Sequence, residues 1–210
     1  MGLNRTAIEA LPRQRRSATI PVAPSSLGAL TDMSTTPQTG FEHRVVIGIA
    51  GLIASNDANA TLMTYSLGAC LGIAIYDPVA RAGGLLHIML PDSGIDPSRA
   101  TGQPGMFVDT GIPALFRAAY TYGADKQRLM IYVAGGAQIM DTSGYFDIGR
   151  QNYAALVELI QKHELRIEAE HVGGLVNRTM SLNLATGRVA LKISGQSSDT
   201  LILCKSSTTT

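Results

Sequence analysis

From Arg44 onward, the sequence consists of short apolar runs that are separated by glycines and an Asp-Pro turn signal. Such runs are typical of β-strands, and the later ones alternate apolar and polar residues. Two longer stretches have apolar residues at helical spacing instead. The sequence therefore predicts an α/β fold in which helices pack on a mixed sheet. Strands are predicted near residues 44–50, 60–66, 69–76, 83–90, 128–134, 166–172, 179–185, 188–194 and 200–204.

Two helices are predicted, at residues 107–122 and 150–163. The apolar residues that share one face of the first helix are Ile112, Leu115, Phe116 and Ala119. Those with the same spacing in the second helix are Tyr153, Leu156, Val157 and Ile160. Pro113 has no backbone N–H, so we expect it to lie in the first turn or to kink its helix. The late turn ATGR is expected to place Gly187 at positive φ.

Residues 1–43 differ in composition from the rest of the chain. They are rich in Pro, Ser, Thr and Arg and have no sustained strand or helix period, which is typical of a flexible extension. Residues 44–205 are expected to form one domain, because a segment of this length can bury a substantial core.

Charge and cysteine content argue against several classes of protein. The formal net charge is +1, from 17 basic and 16 acidic residues, so no overall field recruits nucleic acid or an anionic membrane. Two cysteines, Cys70 and Cys204, fit a reducing cytoplasm better than a disulfide-stabilised secreted scaffold. The longest apolar run, residues 45–54, is about half the length that crosses a bilayer, so no membrane insertion is predicted.

Cys70 lies in the apolar run GACLGIAIYDP, where a lone cysteine usually packs as a small hydrophobic residue. The next run contains His87, and the turn signals between the two runs predict a β-hairpin. If Tyr76 is opposite Gly83, His87 lies opposite Cys70 or one diagonal step away on the same face. The alternative is a core histidine with satisfied polar atoms beside a packed cysteine.

A cysteine and a histidine in this relation are suited to nucleophilic catalysis, in which the imidazole takes the thiol proton and stabilises the thiolate as an ion pair. The imidazole needs a partner that sets its tautomer. Thr64 is a better candidate than Asp77 or Asp92, which lie at strand ends. The backbone amides of Gly68 and Ala69 are candidates to face a developing oxyanion. Together these residues predict acyl transfer from an amide or ester through a thioester.

Metal and phosphate sites have little support in the sequence. The histidines, at positions 43, 87, 163 and 171, have no metal-ligand spacing with one another or with either cysteine. The glycine pairs in VAGGAQIM and HVGGLVNR lack the GxxxxGK and GxGxxG patterns and are interpreted as tight turns. Cys204 is interpreted as a structural residue.

The order of the motifs resembles that of the CheD family of chemoreceptor glutamine deamidases. The segments that carry the resemblance follow one another over residues 44–204: TYSLGACLGIAIYDP, GGLLHIMLPDSG, YVAGGAQIM, DIGRQNYAAL and EHVGGLVNRTMSLNLATGRVALK. The resemblance implies an α/β/α sandwich that is similar to the catalytic domain of cytotoxic necrotizing factor toxins.

The resemblance also implies an activity. Cys70 would be the catalytic nucleophile, His87 the base and Thr64 the supporting residue. The reaction would convert selected glutamines of methyl-accepting chemotaxis receptors to glutamate with release of ammonia, and it requires no metal or organic cofactor. Ala69 stands where the family usually has serine, so a hydroxyl group is missing while the backbone amide is kept.

Two other classes of function remain open. A binding module would keep the fold and use the site only to hold a receptor or a CheC-type phosphatase, which is a partner that the resemblance also implies. A receptor methylesterase would use the same nucleophile on an ester. Loss of activity in Cys70→Ser separates an enzyme from a binding module, and release of ammonia or methanol separates the two enzymes.

Removal of residues 1–40 is predicted to leave the melting temperature and the deamidase turnover unchanged. The extension has four arginines, three acidic residues and few large apolar groups. It therefore cannot offset an ordering cost of about 1–2 kcal/mol per residue. Calorimetry and activity assays of the full and shortened chains test this prediction. A shortened chain that melts several degrees lower would show that the extension packs on the domain.

Overall fold

The structure is a computed structural model that describes residues 43–138, 147–196 and 201–203. Apart from His43, the predicted extension over residues 1–43 lies outside the described residues, and so does Cys204. Within these ranges, no helix is long and apolar enough to span a membrane.

The described residues contain strands that form two five-stranded sheets. They are β1 (His43–Ile47), β2 (Leu52–Ser55), β3 (Ala60–Leu67), β4 (Leu71–Asp77), β5 (Ala82–Ile88), β6 (Met130–Gly135), β7 (Ile167–Val172), β8 (Arg178–Asn183), β9 (Arg188–Ile193) and β10 (Leu201–Ile202). The first sheet has the order β1-β3-β8-β9-β10, and the second has the order β2-β5-β4-β6-β7. The β1–β3 and β6–β7 pairs are parallel, and the other pairs are antiparallel. Gly187, in the turn between β8 and β9, has a φ of +69° as predicted.

Three α-helices are described: α1 (Pro97–Gly102), α2 (Val108–Tyr120) and α3 (Ile148–Lys162). Short 3-10 turns at Ser93–Ile95 and Pro104–Met106 flank α1. Both predicted helices are found, as α2 and α3, whereas α1 was not predicted. In α3, Leu156 and Ile160 of the predicted apolar face are buried, but the other two members, Tyr153 and Val157, are only partly buried.

Pro113 lies in the interior of α2, so the first of the two expected alternatives, a place in the first turn, is wrong. The helix begins at Val108, more than one turn before the proline. The N–H of Val108 is satisfied by a residue outside the helix, because it donates to the carbonyl of Leu90 at 3.0 Å. As a result, the carbonyl of Asp109, four residues before the proline, has no helical N–H partner.

The second sheet lies between two hydrophobic layers. In β4, Leu71, Ile73 and Ile75 pack with side chains of α2 and α3, whereas Ala74 and Tyr76 pack with the first sheet. The described residues therefore form three layers in the order sheet, sheet, helices. The predicted mixed α/β class is confirmed, but the layer order differs from the α/β/α sandwich that the resemblance implies, because both long described helices pack on the second sheet.

The strand predicted over residues 44–50 is found as β1 but ends at Ile47, and β2 (Leu52–Ser55) was not predicted. The chain turns at residues 48–51, where the N–H of Gly51 donates to the carbonyl of Gly48 at 2.9 Å and Ala50 has a φ of +61°. The strand before this turn joins the first sheet, and the strand after it joins the second. The apolar run at residues 45–54 is hydrophobic both before and after this turn. Hydropathy therefore does not reveal where the chain crosses from one sheet to the other.

The β4–β5 hairpin has the predicted register. Tyr76 is opposite Gly83, and His87 is opposite Gly72, with no bulge between these pairs. The turn of this hairpin therefore determines where His87 lies relative to the start of β4.

Asp77 anchors that turn. Its fully buried carboxylate accepts hydrogen bonds from the backbone N–H groups of Val79, Ala80 and Asp125 and from the guanidinium of Arg128, the shortest at 2.7 Å. Burial alone would raise the pKa of Asp77, but the hydrogen bonds from Arg128 and the backbone outweigh it and hold the pKa below its ordinary value of 3.8. The carboxylate therefore stabilises the fold above pH 3.8, and this contribution is lost as the pH falls through the lower pKa of the folded state.

Asp77→Asn is predicted to lower the free energy of unfolding by about 2 kcal/mol near pH 7, because a buried, charged acceptor is lost. The difference from the unchanged protein should shrink below pH 3.8, where Asp77 itself becomes protonated. Urea unfolding near pH 7 and near pH 3 measures both effects.

Asp125→Asn is the matched control for this variant. Asp125 is exposed and lies 3.8 Å from the same Arg128 guanidinium. A surface ion pair of this kind contributes about 0–1 kcal/mol. Equal losses of stability in the two variants would contradict the role assigned to Asp77.

Candidate active site

Thr64 and His87 meet in the layer between the two sheets. Thr64 belongs to β3 of the first sheet and His87 to β5 of the second, and their exposed fractions are 0% and 2%. The β3–β8 register shifts between Thr64 and Leu67, and Ser66 has a φ of +58°. This irregularity bends the strand just before the loop that leads to Cys70.

The hydrogen bonds of Thr64 determine the tautomer of His87. Thr64 Oγ1 donates its only proton to the carbonyl of Ile47 at 3.1 Å. It must therefore accept at its 2.7 Å contact with His87 Nδ1, so Nδ1 carries the imidazole proton. His87 Nε2 is left with a lone pair, and it is buried without a hydrogen-bond partner among the described residues. An unpaired buried polar atom costs about 1–3 kcal/mol, so it is more typical of a functional site than of an ordinary core.

Cys70 directly precedes β4 and is a partly buried free thiol. Because His87 is opposite Gly72, Cys70 lies one diagonal step from the histidine in the register of the hairpin. This is one of the two arrangements that the sequence predicts. Between the two side chains the structure has no hydrogen bond, since His87 Nε2 has no partner.

The electrostatics of the site favour uncharged groups. Burial lowers the pKa of His87 from 6.5 to about 4, so the imidazole is neutral at physiological pH. Burial also raises the pKa of Cys70, more than hydrogen bonding to its own backbone N–H lowers it. Both pKa shifts oppose the thiolate–imidazolium pair that the sequence suggests, and they favour a thiol and a neutral imidazole.

The loop between β3 and β4, residues 68–70, is named the cysteine loop, and the residues that directly follow β6 hold it in place. The N–H of Gly136 donates to the carbonyl of Cys70 at 2.9 Å, and the N–H of Ala137 donates to the carbonyl of Gly68 at 2.8 Å. Gly135 has a φ of +116°, and a Cβ at this position would lie only 2.0 Å from the Cys70 carbonyl oxygen. The glycine pair in VAGGAQIM thus allows the backbone of β6 to approach the cysteine loop closely.

The two backbone amides predicted for an oxyanion site have different surroundings. The N–H of Gly68 donates to the carbonyl of Ser66 at 2.9 Å, so it is engaged within the loop. Among the described residues, the N–H of Ala69 has no acceptor, and the N–H of Cys70 has none except its own sulfur. Any oxyanion site in this loop therefore depends on these two amides and not on Gly68.

The acidic residues considered as partners of the histidine serve other purposes. Asp77 lies at the opposite end of the hairpin in the turn already described. Asp92 accepts the N–H of Gly94 and caps a 3-10 turn. Neither contacts His87 in the structure. The described ranges contain no group of three His, Cys, Asp or Glu side chains that could hold a metal ion.

Asn152 is the site residue that sequence reasoning misses. It is fully buried in α3, and its Nδ2 donates to the carbonyls of Ala69 and Met89 at 3.1 and 3.0 Å. A signal was present, because Asn152, Leu156 and Ile160 are spaced by four and all three are buried. An asparagine thus occupies the place of an apolar residue on the buried helix face.

Comparisons with known proteins identify the family. A family model described as CheD chemotactic sensory transduction matches residues 89–193. The chain is 45% identical over 151 residues to "Probable chemoreceptor glutamine deamidase CheD 1" of Syntrophus aciditrophicus. The aligned region covers 72% of this chain and 94% of that protein. It is 43% identical over 154 residues to "Probable chemoreceptor glutamine deamidase CheD" of Solibacter usitatus, and the aligned region covers 73% of this chain and 91% of that protein. It is 41% identical over 152 residues to "Probable chemoreceptor glutamine deamidase CheD 2" of Anaeromyxobacter dehalogenans, and the aligned region covers 72% of this chain and 96% of that protein. The chain therefore belongs to the CheD family.

Proposed function

We propose that this protein hydrolyses the side-chain amides of selected glutamines in methyl-accepting chemotaxis receptors, producing glutamate and ammonia. The observation that carries the proposal is the buried, unpaired Nε2 of His87, which Thr64 keeps as a proton acceptor one register step from Cys70. The substrate class is supported by the family, since the relatives at 41–45% identity are named chemoreceptor glutamine deamidases.

The reaction proceeds through a thioester. His87 Nε2 takes the proton from Cys70 Sγ as the sulfur attacks the carboxamide carbon of the substrate. The tetrahedral intermediate collapses when Nε2–H gives this proton to the leaving nitrogen, which departs as ammonia. Nε2 then removes a proton from water, which attacks the thioester and releases the glutamate side chain and the thiol. Throughout, Thr64 accepts from Nδ1 and keeps the ring in one orientation.

A neutral thiol and a neutral imidazole suit this sequence of proton transfers. Because burial opposes charge on both groups, a stable ion pair is disfavoured before substrate binds. Proton transfer is then coupled to attack on the carbonyl, where the negative charge moves from sulfur to the oxygen. The N–H groups of Ala69 and Cys70 are the proposed donors to that oxygen.

Substrate and location follow from the same assignment. Receptor glutamines would be presented by the cytoplasmic coiled-coil region of the receptor, so the protein would act in the cytoplasm. A CheC-type phosphatase is a second proposed partner. We assign the activity to the domain at residues 44–205.

Incubation with a receptor cytoplasmic fragment is predicted to add about one dalton at each modified glutamine and to release one equivalent of ammonia. Peptide mass mapping and an ammonia assay measure both. Cys70→Ser should abolish the reaction, while Cys204→Ser, the matched control at the other cysteine, should retain it. Release of methanol would identify an esterase instead. Receptor binding without release of ammonia or methanol would identify a binding module and not an enzyme.

The activity of deamidation is predicted not to fall near pH 6.5, where an ordinary histidine base becomes protonated. Since the pKa of His87 is lowered to about 4, the base form persists to lower pH than at the ordinary 6.5. Activity, as kcat/KM, should therefore fall only below about pH 5 in protein that remains folded by circular dichroism. His87→Ala should fold normally and lose at least about 100-fold in turnover. A limb near 6.5, or near-normal turnover in His87→Ala, would remove this histidine from the mechanism.

A further inference from the structure

Three consecutive carbonyl groups around the nucleophile are held from outside the loop. The carbonyls of Gly68 and Cys70 accept backbone N–H groups from the end of β6, at 2.8 and 2.9 Å. The carbonyl between them, that of Ala69, accepts Nδ2 of Asn152 at 3.1 Å. Two of the three contacts are made by backbone, so Asn152 supplies the only side chain in this set of three.

These contacts also determine where the intervening N–H groups point. No peptide bond in the described residues is cis, and in a trans peptide the C=O and the following N–H point in opposite directions. Holding the Gly68 carbonyl therefore orients the N–H of Ala69, and holding the Ala69 carbonyl orients the N–H of Cys70. Among the described residues, the Ala69 N–H has no acceptor and the Cys70 N–H has only its own sulfur. Neither N–H is engaged by another described residue, so both are candidates to donate to an oxyanion.

Asn152 has two features that a purely structural residue on this helix face does not need. Its Nδ2 also donates to the carbonyl of Met89 at 3.0 Å, so one amide group joins the cysteine loop to the chain two residues beyond His87. Its Oδ1 is buried without a partner among the described residues. Both acceptors are carbonyl oxygens, so the amide cannot be reversed to pair Oδ1 without losing both bonds. An apolar side chain here would avoid the cost of the unpaired oxygen, about 1–3 kcal/mol.

We propose that Asn152 is a positioning residue that orients the Ala69–Cys70 peptide, so that the Cys70 N–H is directed at the oxyanion of the tetrahedral intermediate. The inference rests on the proposed function because it assigns Asn152 to the same thiol. It also makes a separate claim, that attack through an oxyanion depends on Asn152 while the reactivity of the sulfur itself does not.

Two reagents distinguish these effects without a receptor. Acylation of Cys70 by p-nitrophenyl acetate forms an S–C bond, releases p-nitrophenol and passes through a tetrahedral oxyanion. Alkylation by iodoacetamide displaces iodide at the same sulfur without an oxyanion. In full-length Cys204→Ser protein, Asn152→Leu is predicted to slow acylation by about 10- to 100-fold, since direct removal of an oxyanion donor costs about 100- to 1000-fold. Alkylation should change by less than about threefold.

Tyr153→Phe is the matched control on the same helix. It removes the hydroxyl that donates to Glu170 at 2.8 Å and should leave both rates unchanged. Asn152→Asp is the second variant, because its side chain has nearly the same shape but donates only when it is protonated. Its acylation rate relative to alkylation should therefore recover as the pH falls, which the unchanged protein should not show.

The remaining outcomes have defined meanings. Parallel loss of acylation and alkylation in the Asn152 variants would mean that Asn152 acts on the thiol, and this overturns the proposal. Unchanged rates overturn it as well, as does a ratio that does not depend on pH in Asn152→Asp. If the ratio changes as predicted but no receptor glutamine is deamidated, the proposed function fails while the positioning role stands.

Discussion

The 2.7 Å hydrogen bond between Thr64 and His87 is the contact on which the site depends. It joins two sheets whose other contacts in this layer are largely hydrophobic. Since the Thr64 proton goes to the carbonyl of Ile47, the direction of the whole chain of hydrogen bonds is determined. The neutral hydroxyl of Thr64 therefore orients the imidazole and sets its tautomer, as a carboxylate does in many catalytic sites. Unlike a carboxylate, it adds no negative charge that would stabilise an imidazolium.

Burial explains why the site remains uncharged. His87 lies in a strand that is covered on one side by helices and on the other by the first sheet, so its cationic form is strongly disfavoured. The same surroundings raise the pKa of Cys70. In the proposed mechanism, charge therefore develops at this site only when a carbonyl oxygen can receive it.

The cysteine loop is shaped by segments that are distant in sequence. The irregularity at Ser66 bends the end of β3, and the glycine pair that begins with the last residue of β6 lets another backbone approach. Asn152 of α3 reaches the Ala69 carbonyl. Gly149, at the start of α3, is packed so closely that a Cβ would lie 2.7 Å from the backbone of Gly136. Substitutions in any of these segments can therefore alter the cysteine loop without touching the thiol.

The sequence by itself determined the mixed α/β class, the hairpin register and the pairing of Thr64, Cys70 and His87 as candidates. Turn residues and strand alternation act locally, so the diagonal relation of Cys70 to His87 could be counted from the turn at Asp77. Only the tertiary structure decided the tautomer of His87, the engagement of the Gly68 amide and the presence of Asn152 in the site. It also decided that the first apolar run divides between two sheets. These features depend on hydrogen bonds and packing between segments far apart in the chain, which local spacing and hydropathy do not encode.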